Sequence, residues 1–143
     1  MSARSARLMA AAAVVAVLSL GLTAVDARRA HGATRPVPYQ NLTPGQVKMM
    51  LQRKDFTLVN VHIPYEGEIQ PTDAFVPYTE AAAKVPRLVP NRQAKIVVYC
   101  QTGRMSAIAA DTLVRLGYTR VFNLEGGMVA WKQAGYPIVT RPR

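Results

Sequence analysis

Cysteine is nearly absent from this chain of 143 residues; Cys100 is the single one. One sulfur excludes an intramolecular disulfide, a CxxC redox pair and a zinc knuckle built on cysteines. Thiol chemistry must therefore use one sulfur, or a second thiol from a partner or a small molecule. Carboxylates are scarce too, 8 against 18 Lys and Arg, which leaves a net charge of +10. No self-similarity at a period of roughly 20–50 residues is visible, which argues against a solenoid. Gly and Pro, 9 and 10 of each, are too few and too irregular for a collagen or a flexible linker. The whole chain is 50% hydrophobic. That is enough for one domain with a real core and too little for two.

The N-terminus reads as something other than the fold. Arg4 and Arg7 precede an almost wholly apolar run from Leu8 to Val25, and Val25-Asp26-Ala27 then supplies small side chains before a cut. This is the order of a secretory signal peptide, so residues 1–27 are expected to be a leader and the protein exported, periplasmic or otherwise extracytoplasmic. The rival is an uncleaved membrane anchor through 8–25, near the lower limit of length for a membrane helix. Arg28 and Arg29 just after the run are unhelpful to cleavage, because positive charge there hinders translocation. A membrane partner is expected only with that anchor. Residues 28–38 read as a basic linker, 39–138 as the domain and 139–143 as a basic tail. Between 36 and 140 there are 11 basic and 7 acidic residues, a mild excess. No nucleic-acid partner is expected, since such a binder would cluster its cations on one face beside stacking aromatics.

The body alternates strands and helices. Tyr39 to Leu42 is a short strand; Thr43 is an N-cap and Pro44 a first helical residue, opening a helix to about Gln52 with Val47, Met50 and Leu51 inward. Phe56 to Val61 is a buried strand. Pro64, Pro71 and Pro77 then forbid a long element, with room for a brief strand between Asp73 and Tyr78. Glu80 to Val85 is a short helix, stopped by Pro86. Lys95 to Tyr99 is a strand without alternation, as expected where both faces of a parallel sheet are covered. A helix runs from about Arg104 to Leu116, with Met105, Ile108, Ala109, Thr112, Leu113 and Leu116 inward. Thr119 to Asn123 is a strand, Glu125-Gly126-Gly127 a turn that lets the next helix approach the sheet, and Met128 to Ala134 the last helix. Its packing face is Met128, Trp131 and Ala134. The pattern predicts an α/β domain with helices on both faces of a mostly parallel sheet.

In such sheets ligands bind beyond the C-terminal strand ends, where the pattern puts Cys100. Gly103 permits a backbone shape other residues resist. A short loop there can turn its N–H groups inward as an anion nest, and the helix from Arg104 aims its own unpaired N–H groups at the same place. Both features stabilise a thiolate. The bland reading is a buried inert cysteine; its position at a strand end, before a Gly-Arg turn, favours a reactive one. A cysteine phosphatase cradle wants an Arg after five intervening residues; that position holds Ser106, and Arg104 comes two places early. A bare sulfur needs less room than a phosphate, which ranks sulfur transfer above phosphate hydrolysis. A thiol redox role through mixed disulfides, and a non-catalytic module binding a partner or anion through this loop, stay open.

The stretches LVNVH (58–62), IVVYC (96–100), CQTGRMS (100–106), AIAADTLVRLGY (107–118) and NLEGGMVAWKQAGYPI (123–138) resemble a single-domain rhodanese-like protein over about residues 39–138. The resemblance implies a three-layer α/β/α domain with a five-stranded, mostly parallel sheet. It implies that Cys100 takes a sulfane sulfur from a small donor anion such as thiosulfate and passes it, as a persulfide, to cyanide or a thiol. Gln101, Thr102, Gly103, Arg104 and Met105 would supply the N–H cradle, and Ser106 the hydroxyl that closes it. No metal or organic cofactor is implied. The chain departs from many relatives in three places: Asn60-Val61-His62 where they read Asp-Val-Arg, Gly67 to Thr72 in place of a Gly-His-Ile-Pro-Gly-Ala segment, and the loop arginine at 104 where Met105 would hold it. His62 is a possible accessory base for Cys100, though a structural hydrogen bond is the plainer role. Arg104 is a candidate contact for an anionic donor. His31 lies in the linker with no role assigned. Glu66, Glu68 and Asp73 cluster without a fixed metal-binding geometry.

Overall fold

The computed structural model describes residues 38–141. The expected leader or anchor, His31, nearly all of the linker and the last two residues lie outside the described residues.

Five strands form: β1 (Gln40–Leu42), β2 (Thr57–Asn60), β3 (Ala74–Phe75), β4 (Ile96–Tyr99) and β5 (Val121–Leu124). They lie in the order β1-β5-β4-β2-β3, and all four pairings are parallel. Three of the four strand-to-strand connections return through a helix, as parallel pairing favours; β2 reaches β3 through the irregular, proline-containing stretch 61–73. Helices α1 (Pro44–Leu51), α2 (Ala81–Leu88), α3 (Arg104–Arg115) and α4 (Gly127–Gln133) complete the set, with a 3-10 turn at Tyr78–Glu80 before α2.

Side-chain alternation along β4 sorts the two cores. Ile96, Val98 and Cys100 pack on one face with Val59 and Val61 of the β2 segment, Val85 of α2 and Ala109 and Leu113 of α3. Val97 and Tyr99 pack on the other with Leu58, Val47 of α1, and Met128 and Trp131 of α4. Every residue of β4 is buried, which is why its sequence has no polar alternation. A fully buried aliphatic side chain contributes about 1.5–3 kcal/mol, so two covered faces stabilise a small domain well. The result is the three-layer α/β/α architecture that the strand and helix pattern predicts.

Thr43 caps α1 as expected: its hydroxyl accepts the Gln46 N–H (3.3 Å) and Gln46 Oε1 accepts the Thr43 N–H (2.8 Å). Some expectations need correction. Pro86 does not stop α2, which continues to Leu88. The ring removes only the bond to the Ala82 carbonyl, and Ala82 is exposed to water. Beyond it, Val89 is buried and its N–H reaches the Val85 carbonyl at 2.8 Å, which holds the last turn. Ile108 and Leu116 are not inward; they are 49% and 38% exposed, and Ala110 and Val114 take the inner positions. Ala134 is likewise exposed. Ordered packing runs past 138: Glu68 and Val139 exchange backbone hydrogen bonds at 2.8 and 3.0 Å.

Candidate active site

Cys100 follows the last residue of β4, and α3 begins four residues later. The turn is this tight because Gly103 adopts φ +90°, where a side chain is strained. Gly103 is the N-cap of α3, and its carbonyl accepts the Ala107 N–H at 3.1 Å. That geometry folds the loop back over the sulfur. The Gly103 N–H donates to Cys100 Sγ at 3.1 Å, and the Ser106 hydroxyl donates to it at 3.3 Å. Cys100 is 1% exposed and Ser106 fully buried. Two donors and a helix N-terminus converge on one sulfur, an arrangement that favours negative charge there.

A second layer holds the loop from behind. The Met128 N–H donates to the Cys100 carbonyl (2.9 Å) and the Val129 N–H to the Gln101 carbonyl (3.0 Å). The start of α4 thus clasps the cysteine loop itself, not only the sheet. Gly127 makes this approach possible. At φ +57° its Cβ position runs into the Cys100 carbonyl oxygen and lies 2.7 Å from the Gln101 carbonyl carbon. The Gly126-Gly127 pair is the sequence signal for this clasp, yet nothing in the sequence says which backbone it approaches.

Tyr99 was not singled out by sequence, although it matters to the site. Its hydroxyl accepts the Ile69 N–H (3.0 Å) and bonds Thr72 Oγ1 (2.7 Å), which itself donates to the Ile69 carbonyl (2.6 Å). This closed ring ties the residue before Cys100 to the segment that follows β2. Burial pushes the Tyr99 phenol well above its ordinary ionisation range, against the smaller opposing effect of these hydrogen bonds, so it stays a neutral donor.

The remaining candidates separate. Gln101 and Met105 are half-buried; Thr102 and Arg104 are exposed at the rim. His62 is 8% exposed and its ring is held by Glu66, Nε2 to Oε2 2.8 Å, while its backbone N–H donates to Asn60 Oδ1 at 3.0 Å. Its hydrogen bonds serve the turn after β2, with Asn60 Nδ2 donating to the Gly67 carbonyl at 2.9 Å. The three clustered carboxylates go to different partners. Glu66 takes His62, Glu68 takes Arg141 Nε at 2.7 Å and Asp73 takes Lys54. Among the described residues no group of three or more His, Cys, Asp or Glu could hold a metal.

Comparison with known proteins bears on this arrangement. The family model described as "Rhodanese-like domain" matches residues 43–134. A sulfurtransferase of Allochromatium vinosum is 35% identical over 92 residues, covering 60% of this chain and 80% of that one. A thiosulfate sulfurtransferase of Actinobacillus pleuropneumoniae is 26% identical over 103 residues, covering 71% and 94%. The crystal structure of a rhodanese-related protein from Thermoplasma volcanium superposes with a TM-score of 0.61 at 28% identity, over 72% of this chain and all of that one. The matched residues run from the cap of α1 to the end of α4 and enclose the whole cysteine loop, so the chain belongs to the rhodanese-like domain family.

Proposed function

We propose that the protein is a sulfurtransferase that carries a sulfane sulfur as a Cys100 persulfide, from a small donor anion such as thiosulfate to cyanide or a thiol. The observation that carries this reading is the pair of donors, Gly103 N–H and Ser106 Oγ–H, on the Cys100 sulfur. The sulfurtransferases among its relatives support the same class of chemistry.

Two displacements suffice. The Cys100 thiolate attacks the outer sulfur of the donor; a sulfur–sulfur bond to Cys100 forms, the donor's bond breaks, and sulfite departs with the electron pair. The acceptor then attacks the terminal sulfur of the persulfide, and Cys100 leaves as thiolate. Cyanide departs as thiocyanate. The loop donors steady the anionic sulfur in both halves. Near-complete burial of Cys100 suits a donor that presents one sulfur atom and disfavours a bulky mixed disulfide. Arg104, exposed at the rim, is the residue we assign to an anionic donor. His62 is assigned to the turn after β2 and not to proton transfer, because Glu66 holds it. The order of residues 1–27 supports export.

The test is the intact mass of the fragment 28–143 after thiosulfate, with and without a cyanide chase. A gain of one sulfur, reversed with release of thiocyanate and absent in Cys100→Ser, is the expected result. No gain on a folded protein with a titratable thiol overturns it.

A further inference from the structure

The stretch beyond α4 is built into the domain. The Tyr136 N–H donates to the Trp131 carbonyl at 3.2 Å, and Trp131 Nε1 donates to the Pro137 carbonyl at 3.0 Å. These bonds turn the chain back toward the segment that follows β2. Ile138 packs on the core that holds Tyr99 and Trp131. Val139 meets Glu68 in an antiparallel bridge, through the two backbone bonds already described. Gly67, at φ +115°, leaves no room for a side chain there. A Cβ would lie 2.7 Å from Ile138 Cγ2 and 3.1 Å from the Val139 carbonyl oxygen. The segment is shaped around the tail.

A buried charge marks the same junction. The Glu68 side chain is only 3% exposed. A carboxylate so far from water needs opposite charge and hydrogen bonds beside it. Arg141 Nε stands 2.7 Å from Glu68 Oε1, and the Tyr65 hydroxyl donates to Glu68 Oε2 at 3.1 Å. The Arg141 backbone N–H in turn donates to the Tyr65 hydroxyl at 3.2 Å. One residue further, the Ile69 N–H donates to the Tyr99 hydroxyl. Tyr99 immediately precedes Cys100, and it shares its core with Met128, whose N–H holds the Cys100 carbonyl. Printed side by side in space, Arg141, Glu68, Ile69 and Tyr99 form an unbroken line of contacts that ends at the reacting residue.

We propose that the tail at 138–141 positions the cysteine loop, with Arg141 as a positioning residue that acts on Cys100 through Glu68, Ile69 and Tyr99. With the tail seated, Tyr99 is fixed at its hydroxyl and the turn from Cys100 to Gly103 is held at one setting. With the guanidinium removed, the Glu68 carboxylate moves toward water and draws the Ile69 backbone with it. Tyr99 then loses a tie, and the Gly103 N–H meets the sulfur less often. Arg141 itself takes no part in bond making. The effect on turnover rests on the sulfur-transfer reading above; the effect on the loop does not.

The test is amide hydrogen exchange on the full chain of 143 residues, read at Ile69 and Gly103, in Arg141→Gln, Tyr99→Phe and the double variant. Arg141→Gln is expected to speed exchange at both amides about fivefold or more, the net worth of one hydrogen bond, and to leave Val97 and Val98 of β4 unchanged. Arg141→Lys keeps the charge and should restore the wild-type rates. Tyr99→Phe should speed Gly103 by a similar factor, and the double variant should go no further, because both act on one line of contacts. An unmoved Gly103 overturns the proposal. So does equal speeding along β4, which is loss of stability alone, and so do additive effects in the double variant. In transfer from thiosulfate to cyanide, Arg141→Gln should lower kcat about tenfold, against the roughly 100-fold that a 1 Å misplacement costs, with KM unchanged. A wild type that transfers sulfur and a variant of equal kcat overturn the proposal. A wild type that transfers none sinks the sulfurtransferase reading instead, and exchange at Gly103 still decides the role of the tail.

Discussion

At the C-terminal end of the sheet, the cysteine loop is fastened chiefly through backbone N–H groups; at the N-terminal end, charged side chains add to the backbone bonds that hold the loops. Around Cys100 the contacts are Gly103 N–H to sulfur, Met128 N–H to the Cys100 carbonyl and Val129 N–H to the Gln101 carbonyl. Around Lys95 they are Lys95 to Asp55, Lys54 to Asp73 and Arg92 against Tyr118. The first kind of fastening fixes the atoms that react and has no room for an added carbon. The second is half in water, screened by salt, and gives little stability per pair. The cysteine loop is thus clasped tightly by backbone groups of α4, while half-solvated ion pairs trim the loops at the other end of the sheet.

The comparison breaks most sharply at Gly127. Gly127→Ala drives a methyl into the Cys100 and Gln101 backbone at a positive φ. We expect a loss of about 2–4 kcal/mol in urea unfolding, together with sulfur loading near background. Ser106→Ala separates chemistry from stability. It removes one donor from an anionic sulfur, worth about 1.5–3 kcal/mol to the charged state. Transfer from thiosulfate should therefore slow about tenfold or more, with the unfolding midpoint nearly unmoved.

At the other end, Asp55→Asn should be almost silent at neutral pH. Its hydrogen bond from Lys95 holds the Asp55 carboxyl below the ordinary value of 3.8. A depressed carboxyl lends its stability above the unfolded value and loses it as pH falls through the folded one. The wild type should thus lose a small increment below about pH 4 that Asp55→Asn lacks. Stability curves of both proteins from pH 7 to pH 2 would reveal it; parallel curves throughout would remove Lys95–Asp55 from the account.

Much of the fold was legible because local chemistry and global packing agree. The Thr43-Pro44 start, the unbroken IVVY strand and the Gly103 turn each follow from one physical cause and appear where that cause puts them. Sequence was weaker where two causes compete. At Pro86 the ring penalty reads as a stop, but burial of Val85 and Val89 carries the helix through. On α3, Ile108 looks inward by its apolarity, while the smaller Ala109 and Ala110 pack closer to the sheet and leave Ile108 outside. Tyr99 and the α4 clasp were hidden for another reason. Their partners, Ile69, Thr72 and the Cys100 loop, are brought near by the crossings of the sheet, which no local pattern encodes.

The strand order has a consequence for how the chain is made. β1 pairs only with β5, and Asn123 Nδ2 meets Asn41 Oδ1 across 82 positions of sequence. The first strand synthesised is therefore the last to find its neighbour. Closing so long a loop carries an entropic cost before any contact repays it. Until Leu124 has left the ribosome, the sheet has an open side where β1 and β5 belong, and α1 has no α4 to cover it. A nascent chain of this protein is held in an unfinished state to its final stretch, and a chain cut short before β5 never completes its edge.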